Sequence, residues 1–526
     1  MKGNALASFS QLSINQKKLL WITFTIVFAV AGMAAVTYQT QAGPGVTGDS
    51  VHYVMGAQNL LSGNGYSRYS GGWEPVPITG FPPIFSLLLA GAGLFTSDLF
   101  NAARIINILL FGLNIFMVGL LTHRFTRNTT SALIASILVL TSASMIHYHA
   151  WVMTEGLYIF ITLISLYTLV LYFETNKLYI LIITALLMAA STLTRYVGLT
   201  SVAMAGLGIL FLSRLSWKKR LQHIVVLAVV SLTPFILWLY RNSAVSNSLV
   251  NRQLIFHLMS PELIRGFISE AVSWFSPRVL HLPYVLDGLL FIIFALAIPL
   301  LYLINEIKSD DWHKAMPWQS FNILPLLIIL FIPSYAILLV VNNTLLDAGT
   351  SLAATQRYLL PVFVMMVILL VCAVYRLVES RARGLKITSL VIGLVFIGFF
   401  VSGSWSDLRN PNKNLGYTDM KHAWTDMVNA LDSIDNSHLL ISDNVELVYY
   451  LAGRPAYAFP ISFDSYTQQA RQDYAEQIAR AKTNLDHGAI IVLFQPNAER
   501  ENALQQLGVD TMYKFPQAIF YQKSGQ

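Results

Sequence analysis

Charge is scarce in this chain of 526 residues: Asp, Glu, Lys and Arg together make up only 12%. A soluble domain of ordinary composition carries about 25%. Cysteine is almost absent, and the single Cys372 excludes a disulfide framework within the chain. No Gly-rich phosphate loop, internal repeat or low-complexity segment is legible. The hydrophobic share, in contrast, is 55%. Apolar runs near 20 residues recur from Leu19 onward, the length that crosses a bilayer core of about 30 Å. The runs are continuous rather than alternating, so the expected class is an α-helical polytopic membrane protein and not a barrel. The first run, Leu19 to Tyr38, follows Lys17 and Lys18 without a clear cleavage site and is expected to stay as a helix.

Candidate spans are 19–38, 102–122, 131–148, 152–173, 178–194, 197–212, 221–240, 284–304, 319–341, 357–376 and 387–404, about eleven. The apolar stretch Ile84 to Phe95 is too short to span, and after "FPP" it reads as a re-entrant or interfacial piece. With that stretch not crossing, Arg124/Arg127, Lys177, Arg214/Lys218/Lys219/Arg220, Lys308/Lys314 and Arg376/Arg381/Arg383/Lys386 all fall on one side. This is the positive-inside pattern, and it explains the net charge of +7 without nucleic acid. The outer side then holds loop 39–83, loop 241–283, loop 342–356 and the tail. Domain organisation follows: a transmembrane domain over 1–404 and an extracytoplasmic α/β domain over 405–526. In the tail, "HLLISD" and "GAIIVLF" read as buried strands, "DYAEQIARAKTNL" as an amphipathic helix, and "TMYKF" with "AIFYQ" as a hairpin around Pro516.

Ionisable residues at membrane depth are costly and mark function. Here they gather at the expected outer ends of spans: Asp49, Arg104, His147, His149, Glu155, Arg195, Arg241 and Arg357. Each has a plainer reading. Asp49 can be the N-cap of "SVHYVMG". Arg195, Arg241 and Arg357 can snorkel, and Arg195-Tyr196 and Arg357-Tyr358 can belong to an aromatic belt. His147 and His149, two residues apart, give a weak signal for a divalent metal. In the helix after Asp49, Val51, Val54, Met55 and Leu61 form an apolar stripe suited to lying on the membrane, with Asp49, His52 and Tyr53 on another face.

The motifs "GDSVHYVMGAQNLL", "FPPIFSLLLA", "ARIINILL", "TEGLY", "LTRYVGL", "WLYRN" and "RYLLPVF" resemble, in order, GT-C class membrane glycosyltransferases, family 39-like. The branch is that of protein O-mannosyltransferases, aminoarabinose transferases of lipid A and Rgt-type enzymes. The resemblance runs from about Val36 to Val362. It implies a polyprenyl-phosphate sugar donor, transfer to a lipid, glycan or protein on the extracytoplasmic face, and an acid in the first loop, matched by Asp49. Many relatives carry a second acid directly after it, where this chain has Ser50. Arg104 matches an arginine that opens the second span, and Arg357 the arginine of a late motif facing the donor phosphate. The expected mechanism is an inverting displacement: Asp49 takes the acceptor proton, while Arg357, helped by Arg195 and Arg241, receives the phosphate charge. Tyr53, Tyr358, Glu155 and Arg104 complete the candidate substrate-binding set. The expected location is a bacterial inner membrane. Alternative readings are an O-antigen ligase or polymerase-like enzyme and a transporter or flippase. The latter predicts charges near mid-membrane, broken helices or an inverted repeat.

Overall fold

The computed structural model describes residues 14–69, 74–246, 249–250, 254–274, 320–346, 355–379, 387, 415–464 and 469–525. Among them, six helices are long and apolar enough to cross a membrane: Leu19–Gln39, Leu99–Thr126, Glu155–Thr175, Trp217–Ser246, Ile323–Leu345 and Thr355–Arg376. Helices Leu178–Thr194 and Tyr196–Leu212 occupy two further expected spans but are shorter. The expected span 284–304 lies outside the described residues, as does 387–404 apart from Ile387. So do Lys308, Lys314, Arg381, Arg383 and Lys386.

The stretch 131–148 differs from a straight span. It forms Thr129–Leu140 and Ala143–Ala150, bent by 56°. Two hydroxyls make the break: Thr141 Oγ1 donates back to Ile137 O at 2.7 Å, and Ser142 Oγ caps Met145 N at 3.4 Å. Such local bonds compete with a continuing helix. The piece after "FPP" is helix Ile84–Gly93, ten residues long and too short to cross.

The chain divides into two compact units. The first comprises Met1–Gln39, Ile105–Arg241 and Ile255–Pro411 and holds most of the long apolar helices. The second comprises Thr40–Arg104, Asn242–Leu254 and Asn412–Gln526. Its first part contains helix Gly48–Leu61, the hairpin β1 (Ser67–Tyr69) and β2 (Pro75–Pro77), and helix Ile84–Gly93. Its last part is built on β3 (Leu440–Ser442), β4 (Tyr457–Ala458), β7 (Ile490–Leu493), β8 (Val509–Lys514) and β9 (Ile519–Lys523), with β5 (Phe463–Asp464) and β6 (Gln469–Ala470) as a separate pair. The sheet order is β4-β3-β7-β9-β8, with β3 parallel to β4 and β7, and β9 antiparallel to both neighbours. β3 and β7 are buried along their whole length, as a parallel strand covered on both faces requires. Helices Val445–Ala452, Tyr474–Asp486 and Ala498–Leu507 supply the covering layers. Within this unit the first loop and the tail are one body: Val46 N donates to Leu415 O at 3.0 Å and Tyr417 N to Val46 O at 2.9 Å.

Candidate functional site

In the first unit, Glu155 is the first residue of helix Glu155–Thr175. It follows an irregular stretch, 151–154, that separates it from helix Ala143–Ala150. Two asparagines on helix Leu99–Thr126 hold that stretch. Asn107 Nδ2 donates to Trp151 O at 2.6 Å and to Met153 O at 3.3 Å. Asn114 Nδ2 donates to Gly156 O at 3.0 Å and approaches His149 Nε2 at 3.1 Å. Asn107 and Asn114 are both buried and, seven residues apart, lie on one helix face. Gly156 is required here, because a Cβ would sit 2.9 Å from the His149 ring.

Arg195 sits where helix Leu178–Thr194 stops and the turn Tyr196–Gly198 begins. Gly198 allows that turn to fold onto the helix end, since a Cβ would overlap the backbone of Ser191 and Thr192. Arg357 lies in the first turn of helix Thr355–Glu379. Both guanidiniums meet Glu155 Oε1, Arg195 through Nη1 and Arg357 through Nε. Arg195 also donates to Thr154 Oγ1 at 3.1 Å and lies over the Tyr358 ring at 5.7 Å. The Tyr335 hydroxyl donates to Tyr358 O at 2.6 Å. Glu155 is 1% exposed, and its Oε2 has no hydrogen-bond partner among the described residues. Two largely covered guanidiniums thus share one carboxylate oxygen. A guanidinium presents a planar fork of N–H donors whose geometry suits carboxylate and phosphate alike.

The other expected residues of this unit are Arg241, His147 and His149. Arg241 lies over the Trp238 ring at 5.1 Å. His147 packs edge-on to Tyr148. His149 donates from Nδ1 to Met145 O at 2.7 Å and accepts from Asn114 at Nε2, so both ring nitrogens are engaged. Among the described residues, no group of three His, Cys, Asp or Glu is arranged to hold a metal ion.

In the second unit, Asp49 is not the helix cap. Thr47 is, in a capping box with Ser50, whose Oγ accepts from Thr47 N at 3.0 Å. Asp49 lies one position inside the helix, half-buried, where the helix dipole favours a carboxylate. Val51, Val54 and Met55, expected to face lipid, are buried in protein. Tyr53 packs edge-on against Phe85, and its carbonyl accepts from Ser86 Oγ at 2.9 Å. The other face of the helix meets the tail. His52 Nε2 is 3.2 Å from Glu446 Oε1, and Arg68 Nη1 is 3.8 Å from the same oxygen. Tyr449 donates to Gln58 Oε1. Burial raises the Glu446 carboxyl, but the His52 hydrogen bond and the charges of His52 and Arg68 outweigh it, and the group is held below its ordinary value. Burial, with the charges of Glu446 and Asp49, pushes the Tyr417 phenol up. Arg104 donates from Nε to Thr40 Oγ1 at 2.8 Å and from Nη1 to Asn101 Oδ1 at 3.4 Å.

Sequence reasoning missed Glu446, Arg68, Asn107 and Asn114. The asparagines carried a signal, two amides seven apart inside the apolar run "INILLFGLN". Glu446 carried none, being an ordinary acid near a helix start.

A family model described as dolichyl-phosphate-mannose-protein mannosyltransferase matches residues 65–251, less than half of the chain. No curated protein matches the chain by sequence. ArnT from Cupriavidus metallidurans in the apo state is similar over 95% of this chain and 97% of its own, at 14% identity and a TM-score of 0.59. ArnT from the same organism bound to undecaprenyl phosphate is similar over 94% and 97%, at 12% identity and a TM-score of 0.51. The archaeal oligosaccharyltransferase AglB from Archaeoglobus fulgidus, in complex with an inhibitory peptide and a dolichol-phosphate, is similar over 97% of this chain and 75% of that one, at 12% identity and a TM-score of 0.52. The resemblance to GT-C membrane glycosyltransferases is borne out, and the shared property is the fold.

Two outcomes test this geometry. Glu155→Gln leaves two guanidiniums without their carboxylate and should lower stability by about 3–5 kcal/mol, read from unfolding of the detergent-solubilised protein. For Glu446, a depressed folded value means its stabilisation is complete above about pH 4.5 and is lost as pH falls through the folded value. The difference in melting temperature between wild type and Glu446→Gln should therefore shrink on acidification below pH 4.5.

Proposed function

We propose that this chain is a membrane glycosyltransferase that moves a sugar from a polyprenyl-phosphate donor to a lipid, glycan or protein acceptor. The observation that carries the reading is the pair Arg195 and Arg357 on the single carboxylate of Glu155. A polyprenyl phosphate is a good leaving group and needs no general acid. It needs its departing charge stabilised, which preorganised guanidiniums do. The ligands in the fold neighbours, undecaprenyl phosphate and dolichol-phosphate, are of this chemical class and support it.

In this reading Arg357 and Arg195 take the donor phosphate, and Glu155 fixes their spacing. Tyr358 flanks Arg195. Asp49 holds the incoming acceptor hydroxyl and takes its proton. Its half-buried place in the first turn of helix Gly48–Leu61 supports that assignment. Attack opposite the leaving phosphate inverts the anomeric centre. Arg104, bound to Thr40 and Asn101, and Arg241, over Trp238, act as supports for their helix ends. The location proposed is a bacterial inner membrane, with the segment after 405 on the extracytoplasmic side. That placement rests on the positive-inside arrangement of the loops.

The direct test is release of free undecaprenyl phosphate by purified protein from a panel of labelled undecaprenyl-phosphate hexoses and pentoses. No release from any of them would overturn the reading. Arg357→Ala should weaken donor binding by about 1.5–3 kcal/mol through loss of a charge-assisted contact, and unchanged affinity would remove it from the site. Asp49→Asn should cut turnover by about 10²–10⁴-fold with donor affinity kept.

A further inference from the structure

His52 stands one helical turn beyond Asp49, and the contact it makes comes from a residue nearly four hundred positions away in the chain. Its Nε2 lies 3.2 Å from Glu446 Oε1 and 3.4 Å from Arg68 Nη1. These neighbours demand opposite protonation of the same nitrogen, because arginine only donates and a carboxylate only accepts. The far side of the ring decides between them. His52 Nδ1 is buried without a hydrogen-bond partner among the described residues. Were Nε2 the acceptor, a neutral ring would carry its proton on Nδ1, as a buried N–H with nothing to bind. Buried orphan N–H groups are rarer than buried orphan acceptors. The consistent state has Nε2–H donating to Glu446, Arg68 holding Glu446 ionised at 3.8 Å, and a bare lone pair on Nδ1.

A carboxylate on one imidazole nitrogen and a lone pair on the other is the orienter-and-base arrangement of acid–base catalysis. We infer that His52 is a second proton acceptor for the acceptor hydroxyl, with Glu446 as its positioning residue, so that the tail of the chain contributes to the chemistry. The inference rests on the glycosyl-transfer reading and deepens its acceptor half. In the step, the acceptor O–H bond breaks and its proton passes to Nδ1. The oxygen's electron pair forms the bond to the anomeric carbon, and the bond from that carbon to the phosphate oxygen breaks, its pair leaving with polyprenyl phosphate. The half-exposed Phe81 ring packs against the imidazole, with centroids 5.1 Å apart.

The charged groups at the ring are Arg68 on β1 and Glu446 on helix Val445–Ala452, with Asp49 one turn back on its own helix. Helix Ile84–Gly93, packed on the other side, carries none.

The experiment measures kcat and donor KM for undecaprenyl phosphate release from a labelled undecaprenyl-phosphate sugar, with water as the smallest acceptor, for the full-length wild type, His52→Gln, Glu446→Gln and Glu446→Asp. His52→Gln should lose about 10²-fold in kcat with donor KM unchanged. Glu446→Gln should lower kcat with donor KM unchanged, and Glu446→Asp, which keeps a carboxylate, should restore part of it. A structural pin alone would lower stability in both variants with kcat of the folded protein kept, and that result overturns the inference while leaving the transferase reading in place. An inactive wild type overturns both.

Discussion

One carboxylate shared by two guanidiniums governs the membrane part of this protein. Glu155, Arg195 and Arg357 come from three separate helix ends, and each would be costly to bury alone. Around them the chain makes concessions that an apolar bundle would not otherwise need. The helix before Glu155 stops and the chain runs irregularly over 151–154. Asn107 and Asn114 are spent on carbonyls freed by that stop, and Gly156 and Gly198 clear the space for the turns. A helix interrupted within apolar surroundings must have its backbone groups satisfied by side chains, and these two amides do that. What this accommodation secures is the meeting of two guanidiniums on one carboxylate at three helix ends.

The second unit solves a different problem. Helix Gly48–Leu61 was expected to rest its apolar stripe on lipid, yet protein buries Val51, Val54 and Met55, and helix Ile84–Gly93 packs beside it. Its polar face is engaged by Glu446 and Tyr449 from the tail. The β3–α turn of the sheet therefore delivers a carboxylate to the same helix that carries Asp49. The parallel core of the sheet fixes where that turn emerges, since Ser442 closes β3 and the Asn444 side chain caps the helix that follows at Leu447 N. At the start of the helix that carries Asp49, the cap is made by Thr47 together with Ser50.

Much of the architecture was written in local pattern. Long apolar runs name the spans because a bilayer leaves a helix no other length. The short run after two prolines stopped where ten residues must stop, at Gly93. Strands at "LLIS" and "IIVL", the helix in "YAEQIARAKTNLD" and the closing hairpin followed from periodicity. The bend at Thr141–Ser142 was not read, because hydroxyls inside an apolar run are compatible with a straight helix until their own backbone bonds compete with it.

For the site, the sequence by itself determined which residues were conspicuous: Glu155, Arg195 and Arg357 stand out because charge next to apolar runs is expensive wherever it lands. It determined equally that Asp49 opens a polar helix. Only the tertiary structure decided which charges meet. Arg195 and Arg357 converge on Glu155 from 40 and 202 residues away, whereas Arg104 and Arg241, of the same composition and setting, settle on Thr40 and Trp238. Glu446 was invisible along the chain because nothing local distinguishes an acid at a helix start from one that will face His52. Pairing energy depends on distance in space and on burial, and neither is a property of sequence neighbours.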